Sequence, residues 1–280
     1  MTVIVPVRLA LGLAAYLFVV CAATETRAAE DASPWQRDAH SAVRLLAGSR
    51  SGTVLLGGIS IELQAGWHTY WRTPGDSGVP PRFDFSKSEN VETVTVMWPA
   101  PVKFDDGAGG TSLGYTRQVV LPLRIIAKNS DKPPILRAEI NYAVCEKLCI
   151  PVEASIELPF ASVASTEDAT LSAALDTVPK PATIGDPNPL TIRDVKRDGK
   201  ANVLVDVTAP EGKDVNLFVE GPTLDWALPV PKLLEDGPPG VKRFSFELDG
   251  LPPGASPDGA ALKLTLVGGE RSYEFNTILN

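Results

Sequence analysis

Histidine and cysteine are scarce in this 280-residue sequence, which has two histidines and three cysteines. A Ser-His-Asp triad needs a histidine base, of which the chain has only two candidates, and no His-Glu-x-x-His motif occurs. A structural zinc site of four cysteine and histidine ligands would need both His40 and His68. A phosphate-binding glycine loop is also absent. These absences argue against hydrolase and nucleotide-binding functions, and no metal or other cofactor is expected.

Positive charge is in short supply, with 26 lysines and arginines against 34 acidic residues. An acidic surface is a poor partner for nucleic acid or anionic lipid, so neither is expected to bind. Beyond the N-terminus, no segment approaches the roughly 20 apolar residues of a membrane span. The bulk of the chain is therefore expected to be soluble.

The N-terminal residues resemble a secretory signal peptide. Arg8 supplies a positive charge, an apolar run of signal length follows it, and Ala28 offers a small residue for cleavage. We expect residues 1–28 to be removed and the mature protein to be soluble in the periplasm, with a net charge of −9 instead of −8. One alternative is an uncleaved anchor, for which the run is short. A lipid anchor at Cys21 is disfavoured because the preceding Val20 stands where a small residue is usual.

Proline and glycine, 25 and 23 residues, are spread along the chain and divide it into short segments. Short alternating apolar segments between such residues favour β-strands over long helices. Eight strands are predicted in the first part of the chain: Ala42–Ala47, Thr53–Leu63, Thr69–Arg72, Arg82–Phe85, Val91–Met97, Gln118–Ile126, Leu136–Cys145 and Ile150–Leu158. Eight short strands over about 120 residues indicate a sandwich of the immunoglobulin type, which we place at residues 29–162.

The composition changes after this first block. Thr166–Leu175 suits a short helix capped by Ser165 or Thr166, and four prolines between positions 179 and 189 make residues 163–189 a stiff linker. Six more strands are predicted in residues 190–280: Leu190–Val195, Ala201–Val207, Val215–Val219, Phe244–Leu248, Ala261–Val267 and Tyr273–Ile278. This block lacks cysteine and histidine, so we interpret it as a second β-sandwich that serves as a spacer or docking surface. The expected fold is all-β, with two immunoglobulin-like domains joined by the linker.

Two cysteines remain beyond the predicted signal, Cys145 and Cys149, and apolar alternation runs into the first and out of the second. Their spacing predicts a tight hairpin with the sulfur atoms on facing strand ends, where Cα separations of about 4.5–5.5 Å allow a disulfide. Closing a five-residue loop constrains the unfolded chain by only about 2 kcal/mol, against about 4.7 kcal/mol for 100 residues, so the bridge is a weak staple. A structural bridge, a redox-active pair and a Cu(I) site held by two thiolates all stay open at this point.

Five motifs that follow one another resemble a known family. They are Gly66-Trp67-His68-Thr69-Tyr70-Trp71, Pro74-Gly75-Asp76-Ser77-Gly78, Trp98-Pro99, Leu121-Pro122-Leu123 and Cys145-x-x-x-Cys149-x-Pro151. This order resembles the N-terminal periplasmic domain of DsbD-type thiol:disulfide interchange proteins, particularly the branch close to the copper-sensitivity suppressor ScsB. The resemblance covers about residues 36–160 and is most specific around the cysteines.

The resemblance implies an immunoglobulin-like domain that relays electrons through a disulfide between Cys145 and Cys149. In that family a thioredoxin-like domain reduces the pair, and the pair reduces periplasmic thiol-disulfide proteins such as disulfide isomerases or cytochrome maturation proteins. By similarity the more exposed cysteine attacks the partner, and we expect Cys149 to take that role. The family's membrane and thioredoxin-like domains are absent from this sequence, so we expect the electron donor to be a separate protein.

The sequence departs from the family at three places. Three residues separate the cysteines where better-known members have five. The family's two tyrosines beside the cysteines fall on His68 and Tyr70, so one is kept. The acidic position of a shielding loop falls on Asp106, whose carboxylate would slow premature exchange if it lies near a thiol. The aromatic position of that loop falls on Ala108, so shielding by an aromatic ring is not expected there.

Overall fold

A computed structural model describes Met1 and residues 30–105, 109–234, 240–268 and 271–280. The predicted signal peptide, apart from Met1, and the expected loop residues Asp106 and Ala108 lie outside these described residues. Within the described ranges, no helix is long and apolar enough to cross a membrane.

Strands make up most of the described chain. The first eleven are β1 (Gln36–Arg37), β2 (Ser41–Ala47), β3 (Val54–Leu63), β4 (His68–Gly75), β5 (Arg82–Asp84), β6 (Val91–Val96), β7 (Val102–Asp105), β8 (Thr111–Thr116), β9 (Gln118–Ala127), β10 (Ile135–Cys145) and β11 (Cys149–Pro159). The remaining eight are β12 (Lys180–Ala182), β13 (Thr191–Asp198), β14 (Asn202–Thr208), β15 (Val215–Glu220), β16 (Lys232–Leu234), β17 (Lys242–Glu247), β18 (Ala261–Gly268) and β19 (Arg271–Ile278). The predicted all-β, immunoglobulin-like fold is confirmed.

Two sheets enclose the first core. Sheet A has the order β1-β2-β3-β9-β6, and sheet B has the order β11-β10-β4-β8-β7, with β5 also paired to β10. Successive side chains of a strand point to opposite faces, so each strand sends alternate residues into the space between the sheets. Leu45 and Ile59 of sheet A and Leu136 and Ile140 of sheet B are completely buried there. Strand β10 therefore lies near the middle of sheet B, while β11 forms its edge.

Two more sheets enclose a second core in the C-terminal part of the chain. Sheet C has the order β12-β19-β18-β15, and sheet D has the order β13-β14-β17-β16. The buried side chains between them include Val205 and Phe244 of sheet D and Leu264 and Phe275 of sheet C. Although β12 falls in the proline-rich segment, it pairs in parallel with β19.

A short helix, α1 (Asp168–Asp176), packs against β3 and β9 through the buried Leu171 and Ala174. The predicted cap at Ser165 or Thr166 is wrong, since Glu167 occupies the N-cap position and makes no side-chain capping bond. The hydroxyl of Ser165 instead donates to the Ala47 carbonyl at 2.6 Å and accepts from the Glu167 N–H at 3.0 Å. Ser165 is therefore tied to β2, which takes it out of the capping position.

Strand β4 is held by the second pair of sheets. The guanidinium of Arg72 donates to both carboxylate oxygens of Glu220 at 2.8 and 2.7 Å, and to Glu274 at 2.6 Å. The neighbouring Trp71 is completely buried, and its ring centroid lies 6.0 Å from that of Phe218 in β15. This contact matters for the site described next, because β4 also carries His68 and Tyr70.

Candidate functional site

The two cysteines close the hairpin of β10 and β11. The strands pair without interruption from Ile135 opposite Pro159 to Cys145 opposite Cys149, and residues 146–148 form the turn. The cysteines are bonded to each other, with their Cα atoms 4.2 Å apart. Facing residues at the end of an antiparallel ladder lie close enough for this bond without any rearrangement of the strands. The hairpin predicted from the spacing of the cysteines is the one observed.

The two sulfur-bearing residues differ in exposure. Cys145 is 2% exposed, because β10 is flanked by β11 on one side and by His68 of β4 on the other. Cys149 begins the edge strand and is exposed. Its neighbour Leu148 is also exposed, at 78%. A protein partner can therefore reach Cys149 more easily than Cys145.

Tyr70 lies directly beside the disulfide. Its hydroxyl oxygen is 3.1 Å from the Cys145 sulfur, to which it donates, and 3.3 Å from the Cys149 sulfur. The ring is buried, and Tyr70, Ala143 and Cys145 form a small apolar cluster on the face of sheet B that points away from the core. The hydroxyl is therefore placed to donate to either sulfur when that sulfur carries negative charge.

His68 lies opposite Cys145 on the neighbouring strand. Its ring meets Tyr70 edge-on, with the centroids 5.5 Å apart, and contacts the ring of Phe104 with the centroids 4.3 Å apart. Burial lowers the pKa of His68 below its ordinary value of 6.5. This lowering favours the neutral form of the imidazole at pH 7.

Phe104 is an aromatic residue of the site that was not predicted from the sequence. It lies on β7, a four-residue strand, and precedes by four positions the Ala108 at which the family comparison places an aromatic side chain. Its ring contacts the ring of His68. In the sequence, Phe104 stands two positions after Val102, and so short an alternation does not distinguish a strand from a loop.

Comparison with known proteins bears on the first pair of sheets. A family model described as thiol:disulfide interchange protein DsbD, N-terminal, matches residues 40–161. The resemblance to the DsbD N-terminal domain is confirmed. We call residues 40–161 the DsbD-like domain.

One solved structure extends the likeness of the fold beyond the DsbD-like domain. The N-terminal periplasmic domain of ScsB from Proteus mirabilis is similar with a TM-score of 0.72 and 22% identity, covering 90% of this chain and 99% of that one. The GAE domain of yeast GGA1 gives a TM-score of 0.28 at 12% identity, covering 44% of this chain and 95% of that one, which is too low to bear on the fold. No curated protein sequence matches the chain.

The DsbD-like domain brings together four of the five predicted site residues. Cys145, Cys149, Tyr70 and His68 are adjacent, as the distances above describe, whereas Asp106 lies outside the described residues. In the described ranges, no group of three or more histidine, cysteine, aspartate or glutamate side chains is arranged to hold a metal ion. The arrangement favours sulfur chemistry, with one exposed cysteine, one buried cysteine and a hydroxyl within 3.3 Å of both sulfur atoms.

Proposed function

We propose that the protein is an exported thiol:disulfide interchange protein that relays electrons through the Cys145–Cys149 pair. The match of residues 40–161 to the DsbD N-terminal family supports an interchange role. The observation that carries the proposal is the unequal exposure of two bonded cysteines whose sulfurs share the Tyr70 hydroxyl. A bridge that served only as a staple would need neither an exposed sulfur nor a polar group next to it.

The proposed relay consists of two half-reactions, reduction of the pair by a donor and its reoxidation by an acceptor, in which atoms and electrons balance. A thiolate of the donor attacks the Cys149 sulfur, the bond to Cys145 breaks, and the Cys145 sulfur keeps the bonding electron pair. A second donor thiolate then displaces Cys149 and leaves the donor as a disulfide, while the pair takes up two protons as a dithiol. In the second half the Cys149 thiolate attacks an acceptor disulfide, and Cys145 resolves the mixed disulfide. The acceptor gains the two electrons, and the Cys145–Cys149 bond forms again.

The partners follow from this chemistry. The proposed donor is a separate thioredoxin-like or membrane protein with a reduced cysteine pair, and the proposed acceptors are periplasmic proteins with reducible disulfides. We also propose that residues 1–28 direct export, that residues 29–162 form the redox domain and that residues 190–280 form a second sandwich after the linker. Roles in cytochrome maturation or copper tolerance would follow from the identity of the acceptor.

Single cysteine variants test the proposal through their asymmetry. In Cys145→Ser the accessible Cys149 can attack a disulfide but cannot be released by a resolving cysteine, so a mixed disulfide should accumulate. In Cys149→Ser the remaining Cys145 is buried and should form little adduct. The measurement is non-reducing electrophoresis after mixing each variant with oxidised thioredoxin, followed by mass spectrometry of the adduct.

The same experiment distinguishes the alternatives. Equal trapping by both variants, or none by either while both keep the wild-type circular dichroism spectrum, would contradict the relay. If the reduced wild-type protein instead bound one Cu(I) that both variants lost, the function would be metal binding. A wild-type pair that stays oxidised in the presence of every dithiol would indicate a structural adaptor.

A further inference from the structure

The turn at residues 74–78, Pro-Gly-Asp-Ser-Gly, lies directly against the ring of Tyr70. A Cβ atom added to Gly78 would fall 2.3, 2.5 and 2.8 Å from the ring atoms Cε1, Cδ1 and Cζ of Tyr70. Real Cβ atoms do not approach other heavy atoms so closely. Gly78 also has φ +124°, a conformation that side-chain-bearing residues rarely adopt. The glycine therefore allows its backbone to pack on the face of the tyrosine ring.

The turn is fixed to β8 and cannot easily withdraw from the ring. The Asp76 N–H donates to the Thr111 carbonyl at 2.9 Å, and the Thr111 N–H donates to the Asp76 carboxylate at 2.8 Å. The hydroxyls of Ser77 and Ser112 are 3.0 Å apart, and Ser112 also lies 3.2 Å from the Ser77 carbonyl. Four hydrogen bonds to two neighbouring residues of one strand define where the turn sits.

Tyr70 is consequently held from two sides. The turn lies on its ring, and the two sulfur atoms lie 3.1 and 3.3 Å from its hydroxyl oxygen. We propose that Gly78 is a positioning residue for thiol–disulfide exchange, because the absence of its side chain seats the Tyr70 hydroxyl between the Cys145 and Cys149 sulfurs. This inference rests on the proposed function and adds to it a residue that touches neither sulfur.

The chemical consequence concerns the sulfur that receives the electron pair. When a thiolate attacks Cys149, the sulfur–sulfur bond breaks and its electron pair goes to the Cys145 sulfur. A hydroxyl donates a stronger hydrogen bond to a thiolate than to a neutral disulfide sulfur. Tyr70 keeps its proton in this step and stabilises the charge on sulfur. A correctly seated Tyr70 therefore stabilises the Cys145 thiolate, which speeds the reduction and, through the thiolate fraction of the reduced pair, favours that pair over the disulfide.

Gly78→Ala is the direct test, because its new methyl group must displace the tyrosine ring. We expect the equilibrium constant for reduction of the pair by glutathione to fall about tenfold, which corresponds to about 30 mV for a two-electron couple. The rate of reduction by dithiothreitol should fall in the same direction. The matched control is Gly52→Ala in the same part of the chain, where φ is +70° and nothing lies within 4 Å of the added Cβ. That control also places an alanine at positive φ, but without any contact to a ring, and should leave the equilibrium constant unchanged.

Tyr70→Phe separates positioning from a general loss of structure. This variant keeps the ring but loses the hydroxyl, so it should shift the equilibrium about as far as Gly78→Ala does. In the Tyr70→Phe background, adding Gly78→Ala should produce no further shift, because the group that Gly78 positions is gone. An unchanged equilibrium in Tyr70→Phe would overturn the inference even if Gly78→Ala did not fold. Fully additive shifts in the double variant would overturn it as well.

Failure of the inference and failure of the proposed function give different results. The glutathione equilibrium and the dithiothreitol rate are both measured with small thiols on the whole folded chain, so no protein partner is needed. A wild-type pair that neither reagent reduces would contradict the proposed function. A wild-type pair that is reduced normally, together with an unshifted Gly78→Ala, would overturn only the role of Gly78.

Discussion

Single residues at the site differ in how far their roles follow from the sequence. Cys145 and Cys149 could be identified because a cysteine pair at hairpin spacing carries its geometry with it. Tyr70 and His68 could be named only through the family resemblance, since an alternating strand does not say what its outward side chains meet. The contact of Phe104 with His68 depends on how strands β4, β8 and β7 are arranged in sheet B, so no local sequence pattern predicts it.

The pH dependence of stability tests the burial of His68. Its pKa is lowered by burial, so just below pH 6.5 the unfolded chain binds more protons than the folded protein does. The free energy of unfolding should therefore fall as the pH is lowered through 6.5, by an amount that His68→Gln removes. Urea unfolding of both proteins from pH 8 to pH 5 measures this. A difference between the two proteins that stays constant over the whole range would show that His68 does not resist protonation in the fold.

Elements as a whole were easier to predict than single contacts. Each of the fourteen predicted strands overlaps a strand of the structure. Apolar alternation between glycines and prolines predicts strands well, because one face of each strand is buried. The strands that were missed are short or interrupted: β1, β7, β8, β12 and β16. The boundaries differed by only a few residues, so the sheets that carry the site could be anticipated without their exact order.

Strand β8 shows why a missed element can still be essential to the site. Its sequence Thr-Ser-Leu-Gly-Tyr-Thr looks like a turn because a glycine interrupts it. A Cβ on that glycine, Gly114, would fall 1.9 Å from the Thr69 carbonyl oxygen, so the glycine permits a close approach to β4. The same strand holds the turn at residues 74–78 through Thr111 and Ser112. If glycine is taken only as a strand breaker, β8, the strand that supports the turn against Tyr70, is therefore missed.

At the scale of the whole molecule, the second pair of sheets binds β4, the strand that carries Tyr70, through an ion-pair cluster. The side chains of Arg72 and Glu220 are 18% and 13% exposed, so their ion pair is largely shielded from water. Burial alone would lower the pKa of Arg72, but the hydrogen bonds and charges of Glu220 and Glu274 outweigh it and raise the pKa. Thr73 adds a hydrogen bond to Glu220 at 3.1 Å. The sequence could not reveal this contact, because its partners lie about 150 and 200 residues apart in the chain.

Glu220→Gln tests whether this cluster couples the two pairs of sheets. Removing the Glu220 charge leaves Arg72 paired with Glu274 alone and should cost about 2 kcal/mol, the worth of a hydrogen bond to a charged group. We expect calorimetry to resolve two thermal transitions in the variant and one in the wild-type protein, because the sheet pairs lose a shielded polar contact.

Asp206→Asn is a matched control for that change. Asp206 and Arg243 form a two-bond pair of 2.6 and 2.7 Å within sheet D, with side-chain exposures of 14% and 20%. The control removes an equivalent pair that does not reach the DsbD-like domain, so the protein should still unfold in one transition. If both variants broadened or split the transition alike, the Arg72 cluster would have no special role between the sheet pairs.

The reduction potential of the Cys145–Cys149 pair is the measurement that tests the central proposal most directly. It can be obtained by equilibrating the purified protein with glutathione buffers and counting free thiols by mass spectrometry after alkylation. An exchange protein should give a value between about −180 and −270 mV, the range of known thiol–disulfide exchange proteins. A value below about −300 mV, typical of structural disulfides that resist reduction, would contradict the electron relay.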